Sequence, residues 1–159
     1  MKVDFDQLGK ETRIWIYQSN QEISPDLIDA IQADVEAFVN GWSAHQQPLA
    51  AFGSVFHRRF IVLMVDETFT KASGCSIDTS VAFIRKLEED YDLILFDRMT
   101  FSYLLGNIIH TVPKDQFAKL YADGVINEDT LVFDNLIKTK SEWENWKKPL
   151  GESWLKRFV

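Results

Sequence analysis

Phe60-Ile61-Val62-Leu63-Met64-Val65 is the most apolar run in the chain. An unbroken apolar run of this length reads as a strand buried on both faces, and so as a central strand of its sheet. The small-residue stretch Ser73-Gly74-Cys75-Ser76-Ile77-Asp78 comes after it in the chain. Val81, Ile84, Leu87 and Tyr91 then recur at helical spacing. With Asp78 as N-cap, a helix is expected from about Thr79 to Tyr91. Arg85, Lys86, Glu88, Glu89 and Asp90 form its solvated face. A central strand, a tight turn and a helix N-terminus make a common place for chemistry, because unpaired backbone N–H groups point outward there.

Upstream, Thr12 to Gln18 alternates aliphatic with aromatic residues and reads as a strand. Ile14 and Ile16 face one side of it, Trp15 and Tyr17 the other. Ser24-Pro25 opens a helix carrying Ile28, Ile31, Val35, Phe38, Val39 and Trp42 on one stripe, and Asn40-Gly41 ends it. After the loop His45-Gln46-Gln47-Pro48, Leu49 to Phe56 reads as a strand interrupted by Gly53. His57-Arg58 turns the chain into the strand Arg59 to Val65. Downstream, Asp97 to Leu105 and Ile108 to Val112 form a hairpin around Gly106-Asn107. Pro113 opens a short helix with Phe117, Leu120 and Tyr121 inward, closed by Gly124. Thr130 to Phe133 is a further strand. Ser141-Glu142-Trp143-Glu144 has the pattern of a capping box for a helix ended by Pro149, and Trp154 to Phe158 makes a last turn.

The first six elements run strand, helix, strand, strand, helix, strand. That order predicts an α+β fold with a ferredoxin-like βαββαβ core, helices on one face. The extra C-terminal strands and short helices are expected to pack on or extend the sheet and to cover the face bearing Trp15 and Tyr17. Trp143, Trp146 and Trp154 are large enough to be mostly buried in doing so. The alternative is another mixed α+β arrangement with a different strand order. A length of 159 residues with no linker or repeat predicts one domain, residues 1–159.

Seventeen basic against 24 acidic residues leave a net charge of −7. An acidic surface repels phosphate backbones and anionic membranes, so neither nucleic acid nor membrane is an expected partner. One cysteine excludes an intramolecular disulfide and a cysteine-based zinc cluster. No signal-peptide run opens the chain, and no window reaches the length a membrane helix needs. The expected location is the cytoplasm.

Chemical motifs are sparse. Gly9-Lys10 is followed by Glu11, and Asp4 stands where a P-loop needs its first glycine. No GxSxG, HExxH or GxGxxG occurs, and no cofactor is expected. His45, His57 and His110 share no metal-ligand spacing. Cys75 has two readings: a thiolate stabilised by the helix N-terminus beside it, or a small residue filling a turn with its sulfur surrounded by carbon. The ferredoxin-like topology brings the end of the first helix to the sheet edge where the second begins. His45 would then approach Cys75, with Asp78 as either cap or acid in a Cys-His site. Asp66 and Glu67 leave the central strand at that edge and, with Asp78, could hold a hard cation. The opposite edge would gather Gln18, Asn20, His57, Arg58, Arg59, Asp97 and Arg98. The paired arginines there are candidates for an anion or an acidic partner. Trp15 and Tyr17 lack the basic context of an RNA-recognition sheet and read as core aromatics.

Five segments resemble a family of short bacterial proteins, some of which carry the label "ABC transporter ATPase". They are Arg13-Ile14-Trp15-Ile16-Tyr17-Gln18-Ser19-Asn20, Trp42-Ser43-Ala44-His45, Arg59-Phe60-Ile61, Gly74-Cys75-Ser76-Ile77-Asp78 and Leu95-Phe96-Asp97-Arg98. The resemblance spans nearly the whole chain and implies no particular activity, substrate or site. The residues do not support the label, since both the P-loop and a Leu-Ser-Gly-Gly-Gln-like signature are missing. Two function classes remain. One is a small binding or regulatory module for a small molecule or a protein, dimeric through an exposed sheet edge. The other is a thiol-dependent enzyme using Cys75 with His45.

Overall fold

The computed structural model describes all 159 residues and combines helices with antiparallel sheets, an α+β architecture. The chain forms two compact units. One is Met1–Phe96 with Lys138–Ser141, and the other is Asp97–Ile137 with Glu142–Val159.

The first unit runs β1 (Arg13–Gln18), α1 (Pro25–Gly41), the short pair β2 (Ser43–Ala44) and β3 (Gln47–Pro48), β4 (Ala50–Phe56), β5 (Phe60–Asp66) and α2 (Gly74–Tyr91). Its main sheet has the order β1-β5-β4, antiparallel throughout. The apolar run is central, as its composition requires, and every residue from Phe60 to Val65 is fully buried. Ile61, Leu63 and Val65 share a core with Ile31, Val35 and Val39 of α1 and Ile84 and Leu87 of α2. Trp15 and Tyr17 lie opposite Leu63 and Ile61 in register and pack against that same core. Trp15 meets Trp42 edge-on at 5.8 Å. These aromatics therefore face the unit's own helices, which corrects the expectation that the C-terminal third covers them. That face also carries Ile61, Leu63 and Val65, against which the apolar stripes of α1 and α2 are buried.

Gly53 is explained by the same packing. A Cβ there would stand 2.6 Å from Val35 Cγ1 and 3.0 Å from Val39 Cγ1, so its absence lets α1 close onto β4. Both outer edges of the sheet are partly occupied within the unit. Along β4, Ala51 bonds backbone to backbone with Met1 and Val3, and Gln32 Oε1 accepts from the Val55 N–H at 2.9 Å. Along β1, the strap Lys138–Ser141 pairs with Thr12 and Ile14. The Lys140 ammonium anchors it by donating to the carbonyls of Phe5 at 2.8 Å and Leu8 at 2.9 Å.

α2 starts earlier than the sequence reading has it. Its N-cap is Ser73, not Asp78. Ser73 Oγ accepts from the Ser76 N–H at 3.1 Å, and Ser76 Oγ accepts from the Ser73 N–H at 2.7 Å. This reciprocal pair satisfies two of the end groups that a helix leaves open, and it admits Gly74 and Cys75 into the first turn. Asp78 is left exposed one turn further in.

The second unit holds β6 (Thr100–Leu105), β7 (Ile108–Pro113), α3 (Lys114–Ala122), β8 (Leu131–Phe133) and β9 (Lys147–Pro149), with a sheet ordered β7-β6-β8-β9. The strand expected as fourth in a ferredoxin-like sheet, Asp97 to Leu105, thus pairs here and not beside β1. A two-residue loop with Gly106 at φ 62° supplies its partner β7 locally, and local closure costs less chain entropy than a distant pairing. The expected helix from Ser141 to Pro149 is a 3₁₀ turn, Lys140–Asn145, followed by β9. The Trp146 carbonyl accepts from the Asp134 N–H at 2.7 Å, and Trp146 Nε1 donates to Asn135 at 2.8 Å. These bonds draw the chain out of a helix and into the ladder with β8. Trp146 is buried, while Trp143 and Trp154 are half-buried.

Candidate functional site

The α2 end of the first unit gathers most of the residues singled out by sequence. Trp42, the C-cap of α1, donates its indole N–H to the Ser76 carbonyl in the first turn of α2 at 2.8 Å. The end of α1 and the start of α2 therefore do meet at one edge of the sheet. Cys75 occupies the second helical position and is exposed, so the expectation of a sulfur packed in carbon is corrected. The physical reason is the earlier start of the helix. The first turn hides Ser76 beneath it and turns Cys75 outward.

His45 sits at the tip of the β2–β3 hairpin with φ 50°, beside Gln46 at φ 67°. Such a turn serves a two-residue hairpin but strains residues other than glycine and asparagine. His45 is exposed, and no hydrogen bond or ion pair joins it to Cys75 or Asp78. The hairpin follows α1 as the topology requires, but the Cys-His pairing is not assembled in this structure.

The acidic residues at this edge are committed to the loop. Asp66 Oδ1 accepts from the Thr68 N–H at 3.0 Å and from the Thr68 hydroxyl at 2.5 Å. Its Oδ2 accepts from the Gly9 N–H at 3.1 Å. These bonds, the Thr68 hydroxyl foremost, hold the Asp66 carboxyl below the usual carboxylate range. Glu67 accepts from the Ala72 N–H at 2.8 Å and lies 3.7 Å from Arg13. Asp78 joins neither, and no group of three or more His, Cys, Asp or Glu side chains converges as a metal site would need.

Between those two pins stands Phe69, 94% exposed, the most exposed large apolar side chain in the protein. Sequence reasoning passed over it. The signal was a lone phenylalanine inside the polar loop Asp66-Glu67-Thr68-Phe69-Thr70-Lys71, where no strand or helix gives it a core to face.

The opposite end of the sheet carries the β4–β5 hairpin, with His57 and Arg58 both at positive φ. Glu22 bridges the two arginines, 3.1 Å from Arg58 and 3.3 Å from Arg59. The mostly buried Arg59 has its pKa lowered by burial, which Glu22 opposes. An incoming anion would meet a carboxylate already seated between them. Gln18 is buried, and the Asn20 N–H donates to the Ile94 carbonyl at 3.2 Å. Asp97 and Arg98 belong to the second unit, where Asp97 Oδ1 accepts from the Met99 N–H at 2.9 Å in a tight turn. His110 lies on β7 in that unit, stacked on Tyr103 at 5.2 Å. Compared with protein-family models, with curated proteins and with solved structures, the chain finds no match.

Proposed function

We propose that the chain is a small cytoplasmic binding or regulatory module, and that its partner is a protein offering an apolar pocket to Phe69. The carrying observation is the exposure of that ring on a loop fixed on both sides. Leaving a phenylalanine in water forgoes about 1.5–3 kcal/mol of burial. Asp66 and Glu67 hold the backbone on either side of it with hydrogen bonds, at Thr68 and Ala72, so the loop that carries the ring is set in advance of any contact. An aromatic carried on a pre-ordered backbone loses less entropy on docking than one on a mobile loop, which is what an interface anchor needs. The net charge of −7 favours encounter with a basic partner and disfavours a second copy of this chain. In fold terms the reading is of a ferredoxin-like plan without its fourth strand. It is supported by the order β1-β5-β4 and by two helices on one face.

The test is photo-crosslinking in the native cell, from a photoreactive residue placed at Lys71. A defined protein adduct is expected, and Phe69→Ser should abolish it while leaving folding stability within about 0.5 kcal/mol of the parent, as for an ordinary surface change. Absence of any adduct, or an adduct indifferent to Phe69→Ser, overturns the reading.

A second reading, a thiol-dependent enzyme using Cys75 with His45, is favoured by one observation, the exposure of Cys75 in the first turn of α2. Thiols so placed are open to a substrate, and unpaired backbone N–H groups of the first turn lie beside them. It expects folded protein to react with a small aromatic disulfide at pH 6 faster than a free thiol does, and His45→Ala to slow that reaction. A rate like that of a free thiol, unchanged by His45→Ala, would remove it.

A further inference from the structure

We draw no further inference here: the strongest candidate, the exposed Cys75 thiol in the first turn of α2, is a lone cysteine at a helix N-terminus, and nothing else in the structure points to what it would meet.

Discussion

The two units solve the same problem by different means. The first buries aliphatic side chains of long elements: β5 contributes Ile61, Leu63 and Val65, and α1 and α2 lay Ile31, Val35, Val39, Ile84 and Leu87 across them. The second pairs the six-residue strands β6 and β7 with the three-residue strands β8 and β9, and clusters rings among the aliphatic side chains of its core. Phe101 meets Phe117 at 5.2 Å, Trp154 at 5.9 Å and Phe158 at 4.9 Å. Long elements set register through many small, repeated contacts. A three-residue strand such as β8 cannot, and it is held by side-chain and loop bonds, among them the Trp146 carbonyl on the Asp134 N–H and Trp146 Nε1 on Asn135. Truncating a buried ring removes more packed area than truncating one aliphatic side chain, so its cost starts from a higher floor.

The largest expected effect tests that difference directly. Phe117 is fully buried, so Phe117→Ala should cost about 3–5 kcal/mol, against about 2–5 for Leu63→Ala in β5. Urea denaturation of both variants gives the comparison. If Phe117→Ala costs less than Leu63→Ala, the second unit is not organised around its rings.

Next in size is Gly53→Ala. A methyl group there meets Val35 and Val39 below ordinary contact distance, and overpacking of this kind costs about 1–3 kcal/mol. Gly74→Ala is the control, because nothing lies within 4 Å of its Cβ position. Equal stability of the two variants would show that α1 can shift away from β4 freely, and the tight aliphatic packing of the first unit would be in doubt.

Smaller still is the cap of α2. Ser73→Ala should cost about 1 kcal/mol by removing the acceptor of the Ser76 N–H. Asp78→Ala should stay within about 0.5 kcal/mol, as an exposed residue away from the cap. The reverse order in thermal melts would return the cap to Asp78 and shorten the helix.

The smallest effect is a titration. Tyr91 on α2 donates its hydroxyl to Asp34 Oδ2 on α1 at 2.5 Å, and that bond, with burial, pushes the Tyr91 pKa up to about 12. Because the folded value is raised above the ordinary 10.0, the contribution is fully present below pH 10 and is lost as pH rises through 12. Ultraviolet titration should show a phenolate step near pH 12 that Tyr91→Phe removes. If that variant keeps the step, the helix–helix bond is not what delays the ionisation.

Much of the first unit was readable without coordinates. The burial of Phe60 to Val65 follows from its unbroken apolar run, the stripe of α1 from helical periodicity, and the adjacency of β1 and β5 from the central place of that run in the expected strand order. The meeting of α1 and α2 at one edge came from element order, and Trp42 on the Ser76 carbonyl realises it. The start of α2 was misplaced because two serines and an aspartate compete as caps within six residues, and only the reciprocal Ser73–Ser76 bonds decide between them.

By itself, then, the sequence determined which segments are apolar on one face, which on both, and where turns of glycine and proline must fall, since these depend on local chemistry. Tertiary structure alone decided three things. The strand Thr100–Leu105 pairs with its hairpin neighbour and β8, because strand edges choose partners by what closes nearby. Cys75 turns outward and Ser76 inward, because the helix begins at Gly74, five residues before Thr79, and successive helical residues point about 100° apart. Phe69 stays in water, because exposure is a property of what the rest of the chain fails to reach, and no local pattern encodes that.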